Sequence, residues 1–407
     1  MSLEFEQLTP SIAEMAREAG HRREKRNDEL EKATALLHEY ADKWELIDQR
    51  IDWAIENFDM KFYRSAKPLH NELPLDKGIK PQEPPAQATI VATDGSQIVP
   101  DRHASFLYYL INIGAITYYH GSGRPPDVAA FPKLSYPGDS DSAEDDVFTV
   151  SSDLVSMRRD EREITVLADL VKRVQGEPGP KLGILDQRLL YWPIGNSARI
   201  HGERIVFEWQ KAMSEINDAG GWLAGFIDRS GKHSVLAMLH TLDLENSGRT
   251  IKDLYAFDAD IYGGLSDTDL FDVLLGHEER SAVFVDISLH NKTFKLRDPG
   301  NEVCFFYLKT GPGDGQLARV DIPMWVAGKK EALNSVHALL VDQCRIIGNY
   351  PYVITRADEI AVVGRRDQEE LENRIELQMN SLGIYPSITS KQQSKEYARA
   401  QKSRYEG

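Results

Sequence analysis

Thr89-Ile90-Val91-Ala92-Thr93 forms an apolar, β-branched run that leads directly into Asp94-Gly95-Ser96. Runs of this kind are typical of a buried strand, and the Asp-Gly-Ser that follows predicts a tight turn at its end. A strand end would hold Asp94 more rigidly than a loop, and a carboxylate held in this way can bind a metal ion.

The same arrangement returns downstream in Leu182-Gly183-Ile184-Leu185-Asp186. Further strands are expected at 106–119 and 222–228, and helices at 150–174 and 202–219. Helices alternating with strands predict a mixed α/β fold. Two carboxylates on two buried strands indicate an acidic metal site of the kind used for phosphoryl transfer.

The helix at 150–174 is the expected source of a third acidic ligand. Its candidates are Asp160, Glu161, Glu163 and Asp169. Glu163 is preferred because it lies at the edge of the apolar face, whereas Asp169 points toward the opposite face. Glu161 stays open as the alternative to Glu163.

The N-terminal part of the chain is predicted to be a helical extension over residues 1–85. Residues 11–64 carry apolar residues at helical spacing, and Ser11 with Glu14 suggests a capping box at the start of a helix. The extension would cover the core, or it would serve as an oligomerisation or partner helix. A proline-rich hinge at 77–85 separates it from the core.

The rest of the chain gives weaker expectations for local structure. A long loop is expected at 121–146, with a solvated acidic run at 139–146. The segment 304–326 suggests a hairpin around Gly311-Pro312-Gly313-Asp314-Gly315. The remaining expectations are an amphipathic helix at 329–347, short strands at 353–354 and 360–363, and a closing helix at 368–382.

Composition excludes several classes of protein. The net charge of −16 argues against a general nucleic-acid coat protein, although a local basic groove remains compatible with it. Neither cysteine lies in a CxxC pair, HExxH spacing is missing, and GxxxxGK[ST] does not occur, which disfavours a zinc hydrolase or an ATPase. With no signal-peptide pattern or membrane-length apolar run, we expect a cytoplasmic protein without a membrane span.

Seven short motifs follow one another between residue 88 and about residue 365. They are Thr93-Asp94-Gly95-Ser96, Arg159-x-x-x-Glu163, Ile184-Leu185-Asp186, Ala224-Gly225-Phe226-Ile227-Asp228-Arg229-Ser230, the expected turn Asp267-Thr268-Asp269, Ala318-Arg319-Val320-Asp321-Ile322-Pro323, and Asn349-Tyr350-Pro351-Tyr352-Val353-Ile354-Thr355-Arg356-Ala357-Asp358. In this order they resemble the NurA nuclease family, whose core is a ribonuclease H-like α/β fold. The resemblance implies such a mixed sheet flanked by helices over 86–385, with a basic helix or tail at 386–407.

The resemblance also implies an activity. It implies a Mn²⁺- or Mg²⁺-dependent DNA nuclease, with 5′ to 3′ exonuclease and single-strand endonuclease action in double-strand-break processing. Such enzymes work as dimers with a hexameric HerA-type translocase. Asp94, Glu163 and Asp186 would be metal ligands, and Tyr350 would contact phosphate or metal-bound water. Asp358 stands where many relatives have histidine, and it would favour metal binding over proton donation.

Several residues are candidates for binding substrate. Arg188 follows Asp186 closely and could bind the scissile phosphate, and Ser96 and Arg229 follow two other predicted strands. Lys391 and Lys395 lie four residues apart on a predicted helix and could track a DNA backbone. Two alternatives to a DNA nuclease stay open: a catalytically weakened subunit that binds DNA or regulates a translocase, and an RNA-directed nuclease on the same fold.

Overall fold

The chain was analysed as a computed structural model. It describes residues 5–69, 74–100, 106–137, 150–195, 197–244, 264–313 and 316–384, except for the side chains of 22 and 23. No helix in these ranges is both long and apolar enough to cross a membrane.

One mixed sheet forms the centre of the described structure. Its strands are β1 (Ser65–Pro68), β2 (Ala88–Ile98), β3 (Tyr109–His120), β4 (Asp127–Ser135), β5 (Lys181–Leu185), β6 (Trp222–Asp228), β7 (Phe284–Ile287), β8 (Val303–Lys309) and β9 (Leu317–Pro323). They are hydrogen-bonded in the order β1-β7-β8-β9-β6-β5-β2-β3-β4.

Helices flank the sheet. They are α1 (Phe5–Tyr40), α2 (Trp44–Asn57), α3 (Ser152–Arg173), α4 (Ala198–Asp218), α5 (Ser234–Leu242), α6 (Asp267–Leu274), α7 (Leu289–Arg297), α8 (Met324–Ala327), α9 (Lys330–Ile347), α10 (Tyr352–Ala361) and α11 (Arg365–Ser381). A short 3₁₀ turn, Pro299–Asn301, precedes β8.

The pairing of the strands sets the fold class. β2, β3 and β4 form an antiparallel meander, and β2, β5 and β6 are parallel neighbours. The carboxyl ends of the three parallel strands therefore point to the same edge of the sheet, where open α/β sheets place their ligands. This arrangement confirms the predicted ribonuclease H-like mixed sheet flanked by helices.

The helix α3 shows why the core forms where the sequence predicted it. The hydroxyl of Ser151 caps its start by accepting a hydrogen bond from the N–H of Leu154 at 3.3 Å. Ile164, Leu167 and Val171 recur at helical spacing and are fully buried among the side chains of β2 and β5. Burial of each such side chain contributes roughly 1.5–3 kcal/mol.

The N-terminal extension is helical, as predicted, but it starts earlier than expected. The α1 helix begins at Phe5, so Ser11 lies inside it and caps nothing. Pro10 is tolerated in its second turn, because little of the helix precedes it. The second half of α1 and α2 pack with α5 and α6 in a second apolar cluster, which includes Leu37 and Ile51.

Three local predictions were wrong. β4 lies within the segment expected to be a loop; it is a mostly exposed edge strand interrupted by Pro132, and its pairing with β3 holds it. The expected strand at 353–354 and the first two residues of the one at 360–363 belong instead to α10, whose buried residues Val353, Ala357 and Ala361 repeat every four residues, and the chain leaves the helix at Val362. Residues 267–269 begin α6 rather than forming a turn. The acidic run at 139–146 lies outside the described residues.

Other local predictions were confirmed. The strands β8 and β9 form the expected antiparallel hairpin, and α9 is the expected amphipathic helix. The closing helix α11 ends just before Gly383, whose φ of +74° is the left-handed conformation usual after a helix.

Candidate active site

Asp94 and Asp186 lie side by side on adjacent parallel strands. Thr93 of β2 pairs with Leu185, the last residue of β5. The residues that follow this pair in the sequence are Asp94 and Asp186. The turn expected at Asp94-Gly95-Ser96 is not formed, because β2 continues to Ile98 along β3. Asp94 therefore lies inside a strand, at the point where β5 ends.

The helix α10 brings Asp358 to the same place. It approaches β3 so closely that a side chain at Gly114 would lie 2.3 Å from the backbone nitrogen of Ala361. The carbonyl oxygen of Ala361 accepts hydrogen bonds from Ser96 Oγ at 2.5 Å and from Asn112 Nδ2 at 2.8 Å. Held in this way, α10 brings the carboxyl group of Asp358 close enough to that of Asp94 to raise its pKa.

Tyr350 reaches the cluster from the segment between α9 and α10. Its hydroxyl donates a hydrogen bond of 2.6 Å to Asp186 Oδ1. Its ring packs edge-on against Phe226 of β6, with 5.2 Å between the ring centroids. Pro351 follows and caps the start of α10, so Tyr350 and Asp358 belong to one local unit.

Glu163 approaches from the other side of β2. Thr93 donates a hydrogen bond of 3.0 Å to the carbonyl oxygen of Glu163, which fixes α3 against the strand. Glu163 Oε1 lies 3.2 Å from Arg159 Nε. Glu163 Oε2 accepts a hydrogen bond of 2.6 Å from Gln187 Nε2. A side chain at Gly95 would lie 2.5 Å from Glu163 Oε1, so the glycine leaves the space that this carboxyl group occupies.

The two alternative glutamates of α3 have different surroundings. Glu161 forms an ion pair with Arg204 of α4, with contacts of 2.9 and 3.2 Å. Glu163 is only 5% exposed. It lies close enough to Asp94 and Asp186 for their charges to raise the pKa of Glu163. The structure thus brings Asp94, Glu163, Asp186, Tyr350 and Asp358 together and leaves Glu161 outside.

Burial and neighbouring carboxylates raise the pKa values of Asp94, Asp186 and Glu163. The pKa of Asp94 is raised to about 6, first by burial and then by Asp186 and Asp358, and the N–H of Gly95 offsets only part of this. Burial also raises the pKa of Asp186, which the hydrogen bond from Tyr350 lowers. Burial, followed by Asp160, raises the pKa of Glu163 well above its usual range, whereas Arg159 opposes the shift.

This donor set suits a divalent cation. It offers only carboxylate oxygens, the ligands that Mg²⁺ and Mn²⁺ prefer, and a cation would relieve the mutual repulsion. Within the described residues, however, no three acidic, histidine or cysteine side chains are close enough to hold an ion as they stand. Metal binding would require Glu163, whose two oxygens face Arg159 and Gln187, to turn toward Asp94.

The predicted substrate-binding residues have varied surroundings. Ser96 donates its hydrogen bond to Ala361, which is a structural contact. Arg188 is exposed and donates to the carbonyl oxygen of Trp192 at 3.1 Å. Arg229 is exposed at the end of β6 and has a φ of +48°. Lys391 and Lys395 lie outside the described residues.

Two residues that position the cluster had no predicted role. Gln187 immediately follows Asp186 and holds Glu163, while Arg159 contacts both Glu163 and Asp160. An amide directly after a strand-end aspartate was the available signal for Gln187. Asp228, at the end of β6, is also close enough to raise the pKa of Asp186.

Comparison with known proteins adds a family. The sequence model described as the NurA domain matches residues 88–363, which include all five residues of the cluster. No curated protein shows significant sequence similarity to the chain.

Solved structures with a related chain trace are distant. The NurA nuclease from Sulfolobus solfataricus is 13% identical, with a TM-score of 0.44, and the match covers 84% of this chain and 96% of that one. The catalytic domain of human Endonuclease V is 12% identical, with a TM-score of 0.32, and the match covers 75% of this chain and 92% of that one. LC9-RNase H1, a type 1 RNase H with the type 2 active-site motif, is 12% identical, with a TM-score of 0.20. That match covers 45% of this chain and 87% of that one.

Proposed function

The chain belongs to the NurA-domain family, and from this premise we propose that it is a divalent-metal-dependent deoxyribonuclease. The observation that carries the proposal is the meeting of Asp94, Asp186 and Asp358 at one edge of the sheet, with Glu163 and Tyr350 beside them. Phosphodiester hydrolysis needs such a group of carboxylates to hold ions against the reacting phosphate.

Each residue has a distinct task in this proposal. Asp94, Asp186, Asp358 and Glu163 would hold Mn²⁺ or Mg²⁺, and the bound cation would supply an activated water and stabilise the negative charge that develops on the phosphate. Asp358 lies close enough to Asp94 to raise its pKa, and a cation bound by both carboxylates would relieve their repulsion. Tyr350 orients Asp186 through its hydroxyl, and Arg159 and Gln187 hold Glu163 while no cation is bound.

Family membership supports a more specific role. We propose 5′ to 3′ exonuclease and single-strand endonuclease action in double-strand-break end processing, in the cytoplasm. GxxxxGK[ST] does not occur in the sequence, so movement along DNA would come from a partner, and a hexameric HerA-type translocase would supply it. The exposed apolar side chains Phe5, Ile12 and Met15 of α1 support contact with a protein, either this translocase or a second copy in a homodimer.

The test compares hydrolysis of end-labelled single strands in Mn²⁺ or Mg²⁺ by the wild type, Asp94→Asn and Asp169→Asn. Asp169 is an exposed aspartate on the same helix as Glu163 and serves as the matched control. We expect hydrolysis by the wild type and Asp169→Asn, and none by Asp94→Asn. Labels at the two ends give the polarity, and a circular strand reports internal cleavage.

Two outcomes would overturn the proposal. Tight binding of DNA by the wild type without hydrolysis in either metal would favour a regulatory DNA-binding subunit. Faster hydrolysis of an RNA strand than of a DNA strand of the same sequence would favour an RNA-directed nuclease.

A further inference from the structure

A basic cavity of about 450 Å³ opens beside the carboxylate cluster. Arg188, which lines it, follows Asp186 by two residues, and Arg229 lies directly after β6. The cavity and the carboxylates therefore share the edge of the sheet where β2, β5 and β6 end. Its cationic lining residues are Arg64, Arg188, Arg229, Lys232 and Arg319.

The lining is strongly positive in a chain that is negative overall. Five arginine and lysine side chains face two acidic ones, Asp286 and Asp321, which leaves a formal charge of +3, whereas the whole chain carries −16. Both acids are already engaged by Arg319, at 3.1 and 2.7 Å. These two acids therefore do not balance the positive charge of the whole lining.

Lys232 shows the imbalance most directly. Within the described part of the chain its ammonium group forms no hydrogen bond or ion pair, although the residue is half-buried. Burial lowers its pKa, and Arg319, Arg64 and Arg188 lower it further, whereas Asp286 raises it. A buried ammonium among like charges is unfavourable unless an anion joins it.

The wall beside these cations is apolar and aromatic. Trp192 stacks on His290 with ring centroids 3.9 Å apart, and Leu190 and Ile227 extend the apolar surface. Burial, with Arg64 and Arg188 nearby, lowers the pKa of His290 to about 4, so this ring is neutral at pH 7. Cations beside an apolar, aromatic wall suit a ligand with a phosphate joined to a sugar and a base.

We propose that this cavity binds the 5′-terminal nucleotide of a DNA strand, with its phosphomonoester held by Arg64, Arg188 and Lys232. A phosphomonoester carries about −1.5 to −2 charges at pH 7, more than the single charge of an internal phosphodiester, and so suits a cluster of cations better. The inference rests on the proposed function, in which the strand is processed from its 5′ end. The bound end would place a following phosphodiester toward Asp94 and Asp186.

The test measures binding without hydrolysis. The full chain, in EDTA, is titrated into short single strands of one sequence that carry a 5′-phosphate, a 3′-phosphate or only hydroxyl ends, and fluorescence anisotropy gives Kd. We expect the wild type to bind the 5′-phosphorylated strand about tenfold more tightly than the other two. Inorganic phosphate at millimolar concentration should compete with the 5′-phosphorylated strand and reduce this preference.

Substitutions at Lys232 test whether the preference for the 5′-phosphorylated strand arises in the cavity. Lys232→Met keeps most of the side-chain volume and should reduce the preference to less than about twofold, while Lys232→Arg should largely restore it. Lys211→Ala removes an exposed lysine from α4 and should leave the preference intact. Equal binding of all three strands by the wild type, a preference for the 3′-phosphate, or an unchanged preference in Lys232→Met would each overturn the proposal.

Binding and hydrolysis, both measured on the wild-type protein, distinguish this inference from the proposed function. Selective binding of a 5′-phosphate without hydrolysis in Mn²⁺ would retain the cavity assignment and reject the nuclease. Hydrolysis without selective binding would retain the nuclease and reject the cavity assignment.

Discussion

The hydroxyl of Tyr350 donates a hydrogen bond of 2.6 Å to Asp186 Oδ1, across 164 residues of sequence. This bond joins the segment before α10 to the end of β5. Because the hydrogen bond favours the charged carboxylate, it opposes the rise in the pKa of Asp186 caused by burial. Tyr350 thus controls both the position and the charge of one proposed metal ligand.

Tyr350→Phe should slow DNA hydrolysis with little effect on folding. The ring keeps its contact with Phe226, and only the hydrogen bond to Asp186 is lost. A hydrogen bond to a charged group contributes about 1.5–3 kcal/mol, so kcat should fall roughly 10- to 100-fold. Tyr352→Phe is the matched control, because Tyr352 lies two residues further on and packs edge-on against Tyr118. Equal rates for Tyr350→Phe and the wild type would contradict this role.

Asp94→Asn should stabilise the metal-free protein at neutral pH. The pKa of Asp94 is raised to about 6 in the folded protein, whereas an unfolded chain has a value near 3.9. The folded state therefore binds more protons between these values, and its stability falls as pH rises from about 4 to 6. The asparagine removes this loss and can still accept the hydrogen bond from Gly95 N–H.

The gain in the free energy of unfolding should be about 1–2 kcal/mol at pH 7, allowing for the partial exposure of Asp94. It should vanish as pH falls to about 4 and below, where Asp94 of the wild type becomes protonated in the unfolded chain as well as in the folded protein. Urea unfolding in EDTA at the two pH values measures it. A destabilised variant at pH 7 would show that repulsion does not dominate at this position.

Gly95→Ala should displace Glu163. The added Cβ would lie 2.5 Å from Glu163 Oε1 and 2.7 Å from Arg159 Cγ. Since Arg159 and Gln187 hold the carboxyl group, we expect a loss of about 1–3 kcal/mol in stability together with most of the nuclease activity. At Gly176 a Cβ would meet nothing within 4 Å, so Gly176→Ala should change stability by less than about 0.5 kcal/mol.

Gly114→Ala should be more damaging than Gly95→Ala. Here the added Cβ would meet backbone atoms, Ala361 N at 2.3 Å and Ala357 O at 2.5 Å, which cannot rotate away. The helix α10 would have to move off β3 and take Asp358 with it. Thermal unfolding should show a loss of about 3 kcal/mol or more, and an equal loss in the two glycine variants would contradict this reading of α10.

Local patterns in the sequence predicted the parts of the site that lie on strands and on α3. Asp94 and Asp186 end apolar runs, and the apolar stripe of α3 separates Glu163 from Asp169. The role of Gly95 could not be predicted in this way. Its glycine suggested a turn, whereas the structure uses the missing side chain to admit Glu163, which only the packing of α3 on β2 reveals.

Local patterns indicated only part of the basic cavity, namely Arg188 and Arg229. Arg64 precedes β1, Lys232 follows β6, and His290 lies in α7, so their proximity depends on the order of strands across the sheet. The helix α10 was missed for a related reason. Its β-branched residues favour a strand locally, and the contact of Gly114 with Ala361 supports a helix instead.

Mn²⁺ or Mg²⁺ should stabilise the wild-type chain against unfolding, because a cation bound only by the folded state adds its binding free energy. At a concentration one hundred times the Kd, the gain is about 2.7 kcal/mol. Asp94→Asn should lose most of this gain, and Asp169→Asn, which changes an exposed carboxylate on the far side of α3, should keep it. Thermal unfolding with increasing metal at pH 7.5 measures the three proteins side by side.

The gain should also depend on pH in a defined direction. Because the pKa of Asp94 is raised to about 6, a cation must displace a proton from the carboxyl cluster below that value. The stabilisation by metal should therefore be largest above pH 7 and should decline as pH falls through 6. A gain that is the same at pH 5 and pH 7.5, or one that survives in Asp94→Asn, would place the bound cation elsewhere on the protein.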